Sequence, residues 1–344
     1  MSERQRYGVL LANTGSPSAP NKREIKRFLG RFLMDKRIAP GNRFFWRLLL
    51  YGHILPLRGK RNLARYEAIW QKDGNPFYVT HEKLVSGLNK TLNQHFDCDL
   101  VVSCGFSFSD PDITKSMHYL QKQGCKQVLI LPLYPQSAHS TTGSVYDAIE
   151  RASAKLKWDV ECHLIDNYYD NSTYIRALAA SVLHAGFDIN SNDRILFSYH
   201  SIPLADIERG DTYDLQVQST SFAVAKELGL NEAQWALSYQ CRFDRGREWL
   251  KPYTNDVLSM WASKAQGRVF IICPGFAVDC LETLYDVLLE QKPHYLDACR
   301  AADRDANDED FVYVPCLDKS KAHLSVLKDV LTPYIEEMCD DEKN

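Results

Sequence analysis

Short apolar runs rich in β-branched residues recur along the chain at positions 8–12, 100–104, 128–133, 195–199, 235–239 and 269–273. Helical patterns lie between them, and this alternation predicts parallel sheets assembled from βαβ units. Three runs fall in an N-terminal half and three in a C-terminal half, so the expected α/β fold is a pair of similar doubly wound Rossmann-like lobes with a cleft between them. The lobes are expected over 1–172 and 173–318, joined near 168–175, where Asn167, Asp170, Asn171 and Ser172 interrupt the apolar pattern. A C-terminal helix, about 319–337, and its tail complete the chain over 319–344.

Each run ends in loop chemistry, such as Asn13-Thr14-Gly15-Ser16-Pro17, Gly105-Phe106-Ser107, His200-Ser201-Ile202-Pro203 and Pro274-Gly275-Phe276. Ligands of open α/β sheets bind outside the carboxyl ends of the strands, so these loops are expected to face one crevice. No glycine-rich phosphate loop follows any strand, which removes the usual cradle for a nucleotide cofactor. With 41 basic against 44 acidic residues the chain carries no global signal for nucleic acid. The 10 cysteines stand singly with no C-x-x-C, so neither a zinc ribbon nor an iron–sulfur cluster is readable. No signal peptide precedes Tyr7, and a reducing cytosol is the simplest compartment.

No apolar run reaches the roughly 18 residues needed to span a bilayer. The nearest approach, 44–57, contains Phe44, Phe45, Trp46, Leu48, Leu49, Leu50 and Tyr51 and is flanked by Arg43, Arg58, Lys60 and Arg61. Such a segment suits either a core helix or a lip that dips into a membrane interface, and its length does not discriminate.

The densest chemistry lies at 273–290. A buried strand ends, Pro274-Gly275 turns the chain, and a helix follows that carries acids at Asp279, Glu282, Asp286 and Glu290. Separations of three, four and four residues line all four along one helical face. Like charges stacked this way repel by a few tenths of a kcal/mol per pair, so the ladder needs a reason. A solvated face is the ordinary explanation, but Leu281, Leu284, Val287 and Leu288 argue that the helix is substantially buried. His200 stands directly after the run 195–199, with Pro203 stiffening the loop behind it. A lone histidine is usually structural, yet one at a strand end opposite acids can take protons and contact a divalent cation. The competing His139 sits among polar neighbours that look like a helix cap and loop.

From about 7 to 331 the chain resembles the ferrochelatase family. The landmarks are Gly8-Val9-Leu10-Leu11-Ala12-Asn13, Leu131-Pro132-Leu133-Tyr134-Pro135-Gln136, Ser198-Tyr199-His200, Trp249-Leu250-Lys251-Pro252-Tyr253-Thr254 and Pro274-Gly275-Phe276-Ala277-Val278-Asp279-Cys280-Leu281-Glu282-Thr283-Leu284. The resemblance implies insertion of ferrous iron into protoporphyrin IX, the last step of haem synthesis, with the porphyrin clamped in the cleft. It makes His200 and Glu282 the metal-contacting, proton-abstracting pair, with Asp279, Asp286 and Glu290 as a proton or metal path. Thr14, Ser107, Phe108, Tyr134, Ser140, Pro274 and Phe276 become porphyrin contacts. The segment at about 40–60 becomes an apolar lip that touches a membrane, which places the chain in the cytoplasm with peripheral contact at the inner membrane face. No cofactor is expected to be bound permanently. The cysteine-rich tail that holds a [2Fe–2S] cluster in some relatives is absent, and Cys316 and Cys339 alone could not hold one.

Cleft loops depart from the family pattern. Ser107-Phe108-Ser109-Asp110-Pro111 replaces a run with tyrosine and glycine, and Asp244 also stands in place of a glycine. Ser201 does too, and would strain its turn if φ there is positive. Such changes keep two alternatives open, a chelatase paralogue with altered tetrapyrrole or metal preference and a non-catalytic tetrapyrrole- or haem-binding protein.

Overall fold

Among the described residues eight strands, every one paired in parallel, form two sheets of four. They are seen in a computed structural model that describes residues 5–39, 41–240, 242, 244, 246–264 and 267–340. Pro40, at the edge of the expected lip, lies outside the described residues, as do Cys241 and Phe243 of the loop after Gln240 and both ends of the expected domain spans. The first sheet holds β1 (Arg6–Asn13), β2 (Asp99–Phe106), β3 (Gln127–Pro132) and β4 (Glu161–Leu164) in the order β2-β1-β3-β4. The second holds β5 (Arg194–Tyr199), β6 (Trp235–Tyr239), β7 (Val269–Ile272) and β8 (Phe311–Val314) in the order β6-β5-β7-β8. The same order recurs in both halves, as the doubled pattern of apolar runs predicts.

Twelve α-helices interleave with the strands among the described residues: α1 (Lys22–Leu33), α2 (Arg43–Leu49), α3 (Leu55–Ile69), α4 (Pro76–His95), α5 (Ile113–Lys122), α6 (Thr142–Leu156), α7 (Ser172–His184), α8 (Leu204–Glu208), α9 (Tyr213–Glu227), α10 (Thr254–Lys264), α11 (Lys292–Ala301) and α12 (Lys321–Asp340). Two segments, Leu50–Ile54 and Glu282–Gln291, are π-helices. The chain divides into two compact units. Unit 1 is Met1–Tyr134, Ala138–Asn167 and Leu324–Asn344, and unit 2 is Pro135–Ser137 and Tyr168–His323.

Central strands of a parallel sheet covered on both faces should be apolar throughout. Seven consecutive buried residues in β1, and five in β5, meet that requirement. In unit 1 the core packs Leu10, Val128 and Ile130 against Met117, Leu120, Val145 and Ile149 of α5 and α6. In unit 2 Leu196, Val269 and Ile271 pack against Val257, Leu258 and Trp261 of α10 and Tyr295 and Cys299 of α11.

One sequence expectation needs correction, and one open alternative is decided. Cys98 and Cys339 are not independent thiols but a disulfide pair 241 residues apart in sequence. The end of α12 lies against the first sheet, where the Tyr7 hydroxyl donates to the Met338 carbonyl at 2.8 Å, and no local spacing could announce that. The segment 44–57 is not a core helix. No residue of α2 is buried, and Phe44, Phe45, Leu48 and Leu49 are 67%, 69%, 59% and 50% exposed, while Leu50 and Leu55 point inward. No helix among the described residues is long and apolar enough to cross a membrane.

Candidate active site

In both sheets the strand order reverses beside the first strand, between β1 and β3 and between β5 and β7. Such a switch point leaves a crevice at the carboxyl ends of its two strands. His200 follows β5 directly, and the Pro274-Gly275 turn follows β7, whose Ile272 is the register partner of Phe197. The two segments singled out by sequence therefore flank the switch point of unit 2. A Cβ on Gly275 would stand 3.3 Å from Tyr199 Cδ1 and 3.5 Å from Gln136 Oε1, so glycine lets the turn pass close to the strand that carries His200.

The His200 ring is exposed, and its Nδ1 lies 2.7 Å from the Ser201 carbonyl. A carbonyl can only accept, so Nδ1 carries the proton of the neutral ring and Nε2 keeps its lone pair for a metal or a proton. The backbone there is held twice. Tyr213 donates its hydroxyl to the His200 carbonyl at 3.0 Å, and Ser201, fully buried, donates to the Leu250 carbonyl at 3.0 Å. Among the described residues positive φ at a non-glycine occurs at Lys157, Asp303 and Asp318, so Ser201 sits in its turn without the strain its substitution for glycine could have brought. Asp244 likewise organises its loop, accepting from the backbone N–H groups of Gly246 and Arg247 and pairing with the Arg247 guanidinium at 2.6 Å.

The acidic segment departs from the α-helix that its spacing predicts. Glu282–Gln291 is wound as a π-helix, as in the Lys292 N–H that reaches back five residues to the Val287 carbonyl. Glu282 and Asp286 are half-buried and Glu290 is exposed, so the acids on the helix run from protein toward water. Runs of π-helix this long are rare, and such windings concentrate at functional sites.

Asp279 precedes that helix and is fully engaged. Its carboxylate accepts from the hydroxyls of Thr283, at 2.9 Å, and Tyr313, while its N–H donates to Asp318 Oδ1 at 2.7 Å. Burial, followed by the charge of Asp279, pushes the Asp318 carboxyl up to about 7. Burial also holds Cys273, Cys280 and Cys316 as thiols, which makes them inert packing rather than nucleophiles. Gln240, at the end of β6, links the two candidate segments. Its N–H donates to the Tyr199 carbonyl at 2.7 Å and its side-chain amide donates to the Glu282 carbonyl at 3.3 Å.

In unit 1 the switch point brings together four of the expected porphyrin contacts. Thr14, after β1, and Tyr134, after β3, share a hydroxyl hydrogen bond of 2.6 Å. The Ser107 and Phe108 N–H groups donate to the carbonyls of Asn13 and Thr14 at 2.9 and 3.0 Å. Ser107 Oγ is buried with no hydrogen-bond partner in the protein, an unmet need that a polar ligand group could fill. Phe108 turns inward, edge-on to Phe32 with ring centres 5.3 Å apart. Ser140 is half-buried and its carbonyl accepts from Ser144, whereas His139 is exposed. In unit 2 the Pro274 carbonyl accepts from Tyr174, and Phe276 packs partly against the core.

Sequence reading gave no role to Gln240, Tyr313 or Asp318. Asp318 lies 39 positions from the backbone N–H it accepts, so no periodic signal connects them. Among the described residues no group of three or more His, Cys, Asp or Glu side chains is arranged to hold a metal ion.

Comparison with known proteins points to one family. The profile described as Ferrochelatase matches residues 6–334. The ferrochelatase of Aliivibrio fischeri is 36% identical over 331 residues, covering 96% of this chain and 98% of that protein. The coproporphyrin III ferrochelatase of Streptococcus mutans is 34% identical, covering 95% of this chain and 98% of that protein. Among solved structures, SirB from Bacillus subtilis with Fe3+ superposes with a TM-score of 0.53 at 12% identity, covering 76% of this chain and 94% of that one, a likeness of fold.

Proposed function

The chain belongs to the ferrochelatase family, and on that premise we propose that it inserts ferrous iron into protoporphyrin IX, with His200 and Glu282 as the working pair. Metal insertion into a porphyrin requires two pyrrole N–H protons to leave as the cation arrives. A histidine with a free Nε2 lone pair and a carboxylate at the inner end of a graded acidic helix are the groups that reaction needs. The observation that carries this reading is the placement of His200 and the Pro274-to-Glu282 segment at the ends of adjacent strands, braced together through Gln240.

Iron is substrate and must be released to the porphyrin nitrogens. A pair of protein donors suits that task better than a closed cage, which would retain the metal. Asp286 and Glu290 extend the path to water, and Asp279 anchors its base. Thr14, Ser107, Tyr134, Ser140, Pro274 and Phe276 keep the porphyrin-contact role that the family resemblance implies, with Phe108 as packing near Ser107. No resident cofactor enters the chemistry.

The exposed Phe44, Phe45, Leu48 and Leu49 favour an apolar macrocycle and a peripheral contact with the inner membrane face. Coproporphyrin III, the macrocycle named for the Streptococcus mutans relative, carries additional propionates. Anaerobic insertion assays with protoporphyrin IX and coproporphyrin III, each with Fe2+, test the assignment. A higher kcat/KM for protoporphyrin IX is expected, and a clear preference for coproporphyrin III would overturn the substrate. Tight porphyrin binding without insertion of any divalent metal would overturn the enzyme reading.

A further inference from the structure

One face of α1 builds a cationic groove that the insertion chemistry does not use. Asn21 caps α1 by accepting from the N–H groups of Arg23 and Glu24, and Ile25, Phe28, Leu29 and Leu33 are buried on its inner face. Arg23, Lys26, Arg27 and Arg31 occupy another face, at spacings that keep long side chains together. They line a groove of ≈ 440 Å³ with Tyr51, Leu55 and Pro56, contributed by the π-helix Leu50–Ile54 and the start of α3. Two glycines let these elements approach. A Cβ on Gly30 would stand 3.1 Å from the Tyr51 hydroxyl, and one on Gly59 would stand 3.0 Å from Lys26 Cε.

The cations outnumber the nearby acids. Glu24 is the acid on α1, and it meets Arg27 and Arg23 only at 3.7 and 3.9 Å, the Arg23 side chain being 90% exposed. Asp110 also faces Arg27 and Arg31 but is bonded to Lys115 at 2.6 Å. Tyr51 joins the groove to the exposed strip of Phe44, Phe45, Leu48 and Leu49, because α2 runs directly into its π-helix. Apolar side chains beside a concave set of cations match a surface where acyl chains lie next to phosphates.

We propose that the groove of Arg23, Lys26, Arg27 and Arg31 binds the phosphate of an anionic phospholipid headgroup, so that membrane contact selects for negatively charged lipid. The proposal rests on the reading of 44–57 as a membrane-facing lip. An apolar lip alone would bind a neutral and an anionic bilayer alike, whereas the groove makes binding depend on lipid charge and on salt.

The test is co-sedimentation of the full chain with vesicles of phosphatidylcholine alone and of phosphatidylcholine mixed with phosphatidylglycerol, at low and physiological salt. Wild type should favour the anionic vesicles. The triple variant Arg23→Gln, Lys26→Gln, Arg27→Gln should lose on the order of 100-fold of that partitioning while keeping its weaker binding to neutral vesicles. Phe44→Ser with Phe45→Ser should lose binding to both. All of these side chains but the half-buried Lys26 are exposed, and an unchanged circular dichroism spectrum shows that the variants fold. Equal binding of wild type to both vesicles, or an undiminished anionic preference in the triple variant, overturns the groove assignment and leaves the lip standing. Absence of binding to either vesicle overturns both. Displacement from anionic vesicles by millimolar inorganic phosphate at constant ionic strength would assign the groove to free phosphate and also overturn the lipid proposal.

Discussion

The side-chain amide of Gln240 donates to the main-chain carbonyl of Glu282 at 3.3 Å, while the backbone N–H of Gln240 holds the carbonyl of Tyr199, the residue before His200. One buried glutamine thus ties the strand end that bears the histidine to the first turn of the acidic π-helix. Its replacement should disturb alignment more than binding. Gln240→Ala should lower kcat for iron insertion about tenfold with little change in porphyrin KM, the effect expected from one lost buried hydrogen bond. Steady-state kinetics check this, and a rise in KM at constant kcat would argue for a porphyrin contact instead.

The acids on the π-helix differ in burial, and their substitutions should differ likewise. Glu282→Gln should reduce insertion by on the order of 100-fold or more, the usual loss on removing a proton acceptor. Glu290→Gln, at the exposed end, should stay within about threefold. Single-turnover insertion rates decide it, and equal losses at the two positions would mean a cooperative structural network rather than a graded path.

Asp318 and His323 should oppose each other in the pH dependence of stability. Burial and the neighbouring Asp279 raise the Asp318 carboxyl to about 7, so the folded state holds a proton there that the unfolded chain has released. That contribution is complete below the unfolded aspartate pKa near 4 and is lost as pH rises through 7. Burial lowers His323 to about 4, so its contribution is complete above the unfolded histidine pKa near 6.5 and is lost as pH falls toward 4. The two slopes cancel over most of the shared window. Asp318→Asn keeps the oxygen that accepts the Asp279 N–H and removes one slope, so its Tm should climb between about pH 4.5 and 6.5 while wild type stays flatter. Thermal melts across that range check the sign, and parallel profiles would refute it.

Much of the fold is legible in the sequence because the central strands are buried on both faces and read as continuous apolar runs. Of the four edge strands, β2 and β6 show as apolar runs but β4 and β8 do not. β4 and β8 are four residues long with half-buried positions, and Val312 and Tyr313 gave no strand signal against the helix that follows. His200 and Glu282 are legible as chemistry at strand ends. The π-winding of 282–291 is hidden, because acids four apart share a face in either helix and no residue type marks i→i+5 bonding. Contacts across the sheet are equally hidden, since Gln240 to Glu282 and Asp279 to Asp318 depend on strand order rather than spacing. The segment 44–57 stays ambiguous from composition, because exposure is decided by what packs against a helix.

The central claim is that His200 acts on the porphyrin's protons and metal rather than holding the macrocycle. Anaerobic single-turnover insertion of Fe2+ into protoporphyrin IX by His200→Ala, set beside optical titration of porphyrin binding by the same variant, tests it most directly. The account predicts a loss of insertion on the order of 100-fold or more, with porphyrin affinity within about tenfold of wild type because apolar walls supply most of the binding. Near-normal insertion, or a collapse of porphyrin binding that explains the lost turnover, would contradict it.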